Sequence, residues 1–209
     1  MKPTSNNTIR PILIGITGGI GSGKSYICHQ LEQTGHHVFY CDDVAKHIIR
    51  TQADVKRELT ALVGPDVYDA AGQLVKSVLA AYLCRGTDYS HRIDQIVHPR
   101  VAAAFKQQAA LLRPSTPTTL ECDEKVISLQ LLQQLPTDGV LFMECALLFE
   151  SGFDQLVDKS VVVHVSQETQ LKRLIGRDHI SREKALRWIS LQLTEDVKVD
   201  RADYVINNE

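Results

Sequence analysis

One glycine-rich stretch constrains this chain more than anything else in it. Residues Gly18-Gly19-Ile20-Gly21-Ser22-Gly23-Lys24-Ser25 fit the pattern G-x-x-x-x-G-K-[ST]. Glycines let the backbone turn through positive φ and bring its N–H groups close around phosphate oxygens. Such a loop needs a strand before it and a helix after it, the helix presenting its positive dipole end to the same anion. Both neighbours are present. Ile12 to Thr17 is a short, nearly continuous apolar run of the kind buried on both faces of a parallel sheet, and Lys24 to Gln33 has helical apolar spacing stopped by Gly35. Gly19, Gly21, Ser22 and Gly23 then form the backbone cradle, Lys24 sits against the β- and γ-phosphates, and the Ser25 hydroxyl ligates Mg²⁺. The pattern predicts a nucleoside triphosphate site.

Further strand-like runs follow at Val38–Cys41, Val140–Met143, Ser160–Val165 and Tyr204–Ile206, separated by helical stretches. This predicts an α/β fold, a parallel β-sheet flanked by helices. Between about Ala45 and Gln134 the strand signal disappears. There Gln52–Val63, Leu74–Cys84, Arg92–Leu112 and Val126–Gln134 have helical spacing, and Arg113–Thr119 has the composition of a loop. The expected organisation is a nucleotide-binding core at 10–44 and 138–209, interrupted by a helical insertion at 45–137. A lid at 177–190 is expected within the core segment.

Composition serves mainly to exclude. The 209 residues carry 23 Lys+Arg against 25 Asp+Glu, a formal charge of −2, which gives no general attraction to nucleic acid or an anionic membrane. The most apolar stretch, Gly139–Phe149, is about half the roughly 20 residues a spanning helix needs and carries Glu144. Met1–Arg10 is polar and is followed by a run broken by glycines, unlike a signal peptide. The five cysteines lack any C-x-x-C pair and suit buried thiols in a reducing cytoplasm. A small-molecule partner is expected, and nothing in the sequence sets the oligomeric state.

Among phosphate-loop proteins, a guanine-reading Asn-Lys-x-Asp motif is absent. Gly-Gly occurs only at Gly18-Gly19, so the signature loop of transporter ATPases is absent too. A small-molecule kinase gains from two positive features. Asp42 closes the second strand, at the sheet edge where ligands of open α/β folds bind, and can orient or accept the proton of an attacking hydroxyl. Asp43 beside it is expected to cap the next helix. The stretch Leu171–Asp178, continued by Arg182, Lys184 and Arg187, concentrates cations after a core strand. It reads as a lid over phosphates, with Arg173 and Arg177 on one helix face clamping the transferring group and Lys184 and Arg187 on a solvated face.

These residues resemble the dephospho-coenzyme A kinase family from Ile14 to Asn208. The resemblance is carried by Thr17–Ser25, Asp42, His98-Pro99-Arg100-Val101 and Leu147-Leu148-Phe149-Glu150-Ser151-Gly152. It continues through Arg173-x-x-x-Arg177-Asp178, Gln192, Lys198 and Ala202-Asp203-Tyr204-Val205-Ile206-x-Asn208. It implies a nucleotide core, a helical domain for the coenzyme A moiety and a lid, with ATP donating its γ-phosphoryl to the ribose 3′-hydroxyl of dephospho-CoA. By the same resemblance Asp42 is the general base or hydroxyl-orienting residue, and Lys24 with Arg177 stabilises transferring charge. Tyr26 and Arg173 fall on the nucleotide side, His98 and Glu150 in the acceptor pocket. Glu150 is equally readable as a helix-start carboxylate and His98 as a turn histidine. Departures from the family are Tyr40 for a second Asp, Tyr26 for Thr, Ala146 for Pro, and a longer connection over about Ala110–Thr137. The family also typically continues past the position of Glu209 into a helix, whose loss would uncover part of the core. The competing expectations are a nucleoside monophosphate kinase-like enzyme and a catalytically weak nucleotide-binding protein.

Overall fold

The computed structural model describes residues 9–209, so the first eight residues of the polar N-terminal stretch lie outside the described residues. Along the chain come β1 (Ile12–Thr17), α1 (Lys24–Gln33), β2 (His37–Tyr40), α2 (Cys41–Thr51), α3 (Ala53–Val63), α4 (Lys76–Leu83) and α5 (Thr87–Leu111). There follow α6 (Leu129–Gln133), β3 (Val140–Glu144), β4 (Lys159–His164), α7 (Gln167–Asp178), α8 (Arg182–Ile189), α9 (Glu195–Arg201) and β5 (Tyr204–Asn207).

The strands form one parallel sheet in the order β2-β3-β1-β4-β5. β1 lies in its middle, with Ile12 to Ile16 opposite Val140 to Glu144 of β3, and Ile14 to Thr17 opposite Lys159 to Val162 of β4. Helices cover both faces of such a sheet, which is why β1, β3 and β4 read as continuous apolar runs rather than alternating ones. Gly15 interrupts β1 for a steric reason: a Cβ there would lie 2.8 Å from Leu148 Cδ2. The carboxyl ends of β1, β3 and β4 deliver the glycine loop, Glu144 and His164 to one sheet edge.

By contacts the described chain divides into two compact units, one formed by residues up to Phe39 with Gln108–Glu209, the other by Tyr40–Gln107. The second unit is helical. In it Arg100 on α5 pairs with Asp54 at 2.8 Å and with Glu58, both on α3, and Tyr68 donates its hydroxyl to Ile49 O at 2.7 Å. α5 runs through Pro99, so His98 is a helical residue, 3.5 Å from Asp94 one turn before it, rather than a turn histidine.

This helical unit ends earlier than the expected insertion at 45–137, because residues 108–137 pack with the sheet. Expected as helix from Val126, the chain instead runs extended there. Ile127 N–H donates to Val205 O at 2.9 Å, and Val205 N–H donates to Lys125 O at 2.8 Å. The pairing covers the edge of β5, whose backbone groups would otherwise be open. α6 begins only after Ser128, whose side chain caps it by accepting from Leu131 N–H. Upstream, the buried Tyr204 hydroxyl donates to Leu120 O and accepts from Cys122 N–H, both at 3.2 Å. The long connection is thus an arm laid along β5.

Two local expectations change. β2 stops at Tyr40, and Cys41, being buried, already belongs to α2, so Asp42 lies in the first helical turn instead of closing the strand. The N-cap is Tyr40, and Asp43 makes no cap; its Oδ1 accepts from Lys46 Nζ at 3.1 Å. Both carboxylates still sit where the helix dipole favours negative charge. Cys28, Cys41 and Cys145 are buried thiols, whereas Cys84 is exposed and Cys122 half-buried. Among the described residues no helix is long and apolar enough to cross a membrane.

Replacing Tyr204 by Phe strands the Leu120 carbonyl and the Cys122 amide. Tyr204→Phe is expected to lower unfolding stability by about 1–2 kcal/mol, read by urea denaturation. Limited proteolysis of the arm between residues 113 and 125 should also accelerate.

Candidate active site

The chain between β1 and α1 can wrap an anion only because its glycines take conformations other residues avoid. Gly21 and Gly23 have φ of 82° and 94°. At Gly23 a Cβ would also collide with Asn208 Nδ2, and at Gly19 one would collide with Glu195 Oε1 and Gln170 Nε2. These are close approaches of other elements to the loop, and they show what holds it.

The loop's carbonyls point outward onto fixed donors. Arg173 Nη1 donates to Ser22 O at 3.2 Å and Gly21 O at 3.4 Å, while its Nη2 donates to Asn208 O at 2.7 Å. Asn208 Nδ2 donates to Ser22 O at 2.8 Å. The amide of Ile20 is taken from outside, donating to Gln192 Oε1 at 2.8 Å. The Ile20 side chain packs into an apolar cluster with Leu171 and Leu174 of α7 and Ala185 of α8. Arg173 therefore braces the loop, and the segment after α8 is tied to it as well.

Lys24 is buried, and its ammonium donates to the loop's own carbonyls, Gly18 O at 2.8 Å and Gly19 O at 3.2 Å. Burial lowers its pKa; the nearby Glu144 carboxylate opposes that, and Lys198 adds to it. Ser22 Oγ is buried with no hydrogen-bond partner. Ser25 and Tyr26, on the first turn of α1, are exposed. For a divalent cation held beside a triphosphate, the hydroxyl of Ser25 and the carboxylate of Glu144 are oxygen donors of the right kind.

Glu150 is exposed on the loop after β3, and its Oε1 accepts from Leu193 N–H at 3.0 Å rather than opening a helix. Arg177 lies one turn beyond Arg173 on α7 but is 62% exposed and forked onto its neighbour Asp178 at 2.8 Å, which raises its pKa. The structure thus brings Arg173 and Lys24 to the glycine loop and leaves Arg177 at the surface. Asp42 is exposed in the helical unit, where His98 also lies. In the expected lid region, His179 ends α7 in the left-handed conformation at φ 51°, and Ser181 caps α8. Beside Gly19 a cavity of about 810 Å³ is walled by His164, Gln170, Arg187, Gln192 and Glu195.

Four residues gained no role from the sequence: Glu144, Gln170, Gln192 and Glu195. Glu144 carried a readable signal, an acid ending an apolar strand next to the strand that feeds the loop. Gln192, one of the residues that carry the family resemblance, lies between α8 and α9; Gln170 and Glu195 come from distant α7 and α9, and their spacing carries no signal.

A family model described as dephospho-CoA kinase matches residues 12–122 and 125–209. The chain belongs to the dephospho-CoA kinase family. A Bacteroides fragilis protein named dephospho-CoA kinase is 35% identical over 198 residues, covering 95% of this chain and 85% of that one. A protein of that name from Fusobacterium nucleatum is 32% identical over 197 residues, covering 94% and 89%. Among solved structures, TT1252 from Thermus thermophilus matches with a TM-score of 0.73 at 27% identity, over 96% of this chain and 90% of that one. A dephospho-CoA kinase from Campylobacter jejuni matches in fold with a TM-score of 0.60 at 21% identity, over 94% and 87%. Membership of the dephospho-CoA kinase family makes the chain a transferase.

Arg173→Met removes a charged donor from the carbonyls of Gly21 and Ser22. Such a bond is worth about 1.5–3 kcal/mol, so the KM for ATP should rise by about tenfold or more in steady-state kinetics.

Proposed function

We propose that the loop at Gly18–Ser25 binds ATP, and that the chain uses it as the family does, moving the γ-phosphoryl group to the ribose 3′-hydroxyl of dephospho-CoA in the last step of coenzyme A biosynthesis. The observation that carries this assignment is Lys24. Its ammonium is buried against backbone carbonyls, in a loop whose other carbonyls are tied outward by Arg173 and Asn208. A cation held that way is prepared for a polyanion, and the family match names the reaction.

Phosphoryl transfer asks for positioning and charge neutralisation more than for covalent chemistry. Gly19, Gly21, Ser22 and Gly23 supply the backbone cradle. Lys24 exchanges its carbonyl bonds for oxygens of the β- and γ-phosphates. Tyr26 and Arg173 serve the nucleotide side, Arg173 by keeping the loop in shape. Arg177, exposed and paired with Asp178, turns toward the transferring group as the segment 177–190 closes. Asp42 orients the attacking hydroxyl and receives its proton. His98 and Glu150 are assigned to the acceptor, Glu150 through the oxygen Leu193 does not use, and the helical unit Tyr40–Gln107 holds the coenzyme A moiety. Ser25 would hold Mg²⁺, with the Glu144 carboxylate as a further oxygen donor, and the ion would neutralise phosphate oxygens. Free thiols and a balanced charge support a cytoplasmic setting for a chain whose partner is a small molecule.

ADP release with ATP and Mg²⁺ should depend on dephospho-CoA, with coenzyme A identified by mass spectrometry, and should be negligible with AMP, CMP or no acceptor. Release driven by another acceptor would replace the substrate assignment. Chelating the metal with EDTA should abolish turnover and excess Mg²⁺ restore it. Asp42→Asn should lower kcat by about 100-fold or more while ATP binding measured by calorimetry persists.

A further inference from the structure

Lys198 has no task in the chemistry above, yet its environment is unusual for a lysine. It lies on α9, fully shielded from solvent, and its Nζ has no hydrogen-bond partner. An ammonium group taken out of water is strongly unfavourable unless opposite charge compensates it. Burial lowers its pKa, and the Glu150 and Glu195 carboxylates oppose that shift. Glu195 stands one helical turn before it on the same helix, at the i, i+3 spacing that places both on one side.

Glu195 is where this charge matters. Its Oε1 accepts from Gln170 Nε2 at 3.0 Å and abuts Gly19, while its Oε2 lies 3.5 Å from His164 Nδ1. Gln170 in turn packs its backbone against Gly21: a Cβ there would lie 3.1 Å from Gln170 O. Glu195 therefore braces the phosphate loop through Gln170. In doing so it sets a carboxylate at the rim of a loop that has to receive a polyphosphate, and its charge reaches Lys24. Uncompensated, that carboxylate would repel the ligand.

We propose that Lys198 is a positioning residue of the nucleotide site: its buried ammonium offsets the Glu195 carboxylate at Gly19, so that Glu195 braces the loop without repelling the polyphosphate. Lys198 acts through Glu195 and touches no substrate. Its charge also acts on Lys24 as a like charge, a repulsion that a polyanion in the loop relieves. This inference rests on the assignment of Gly18–Ser25 to ATP and extends it to a residue outside the loop.

The test is ATP binding by calorimetry, with steady-state kinetics, on the full chain and four variants. Lys198→Met should raise Kd and KM for ATP by roughly tenfold with a much smaller fall in kcat. Glu195→Gln, which keeps the acceptor for Gln170 and removes the charge, should tighten ATP by about two- to fivefold. The double variant should return Kd to within about threefold of the parent, because the two changes act on one interaction. Lys198→Arg, keeping the charge, should also stay within about threefold. A lysine of purely structural importance would lower thermal stability in Lys198→Met without rescue by Glu195→Gln. Parental ATP affinity in a folded Lys198→Met, or no rescue in the double variant, overturns the proposal. If Lys198→Met does not fold, weaker ATP binding in Glu195→Gln overturns it and tighter binding supports it. A parent chain that binds no ATP overturns the nucleotide assignment together with this inference, whereas ATP binding by the parent with unrescued variants overturns the Lys198 role alone.

Discussion

A backbone loop can turn its N–H groups toward an anion only if something else takes the carbonyls that thereby face away. Here that condition is met by Arg173 and Asn208, which together occupy the carbonyls of Gly21 and Ser22, and by Lys24, which closes on those of Gly18 and Gly19. Arg173 is anchored by α7, and Asn208 by its place just past β5. The phosphate loop is therefore maintained by elements about 150 to 190 residues away in sequence, and the α/β scaffold exists at this edge largely to bring them back. The motif Ala202–Asn208 makes sense in these terms. Asp203 accepts from Ser160 at the start of β4, β5 fixes the direction, and Asn208 arrives at Ser22.

Much of the fold was legible because its signals are local. A helix of the stated length at Lys24–Gln33, strands at the apolar runs, and a helical region without strands all follow from periodicity and glycine placement. The start of α2 was misread because apolar Cys41 continues the β2 pattern, and nothing local separates a buried strand residue from a buried first helical residue. Val126 and Ile127 read as the start of a helix for a similar reason. Their extended form depends on the open backbone of Val205, a tertiary partner that no window of sequence contains.

The site divides the same way. The cradle is written in eight consecutive residues, and the cations of α7 stand out in a near-neutral chain. What the sequence could not separate was support from chemistry: Arg173 and Arg177 are one turn apart and equally basic, yet one grips the loop and the other rests on Asp178. Glu195 was silent because its meaning comes from three contacts made by one carboxylate with two other elements and the loop. Charges that act through a neighbour leave little trace in composition or spacing.

The arm beside β5 has a consequence for how the molecule behaves among its copies. A parallel sheet whose last strand shows bare amides and carbonyls is a template for a foreign strand. At Val205 this chain supplies its own segment, Lys125 to Ile127, to the vacant side. The sheet is terminated from within, so the connection that leads into α6 also guards the protein against growing edge to edge.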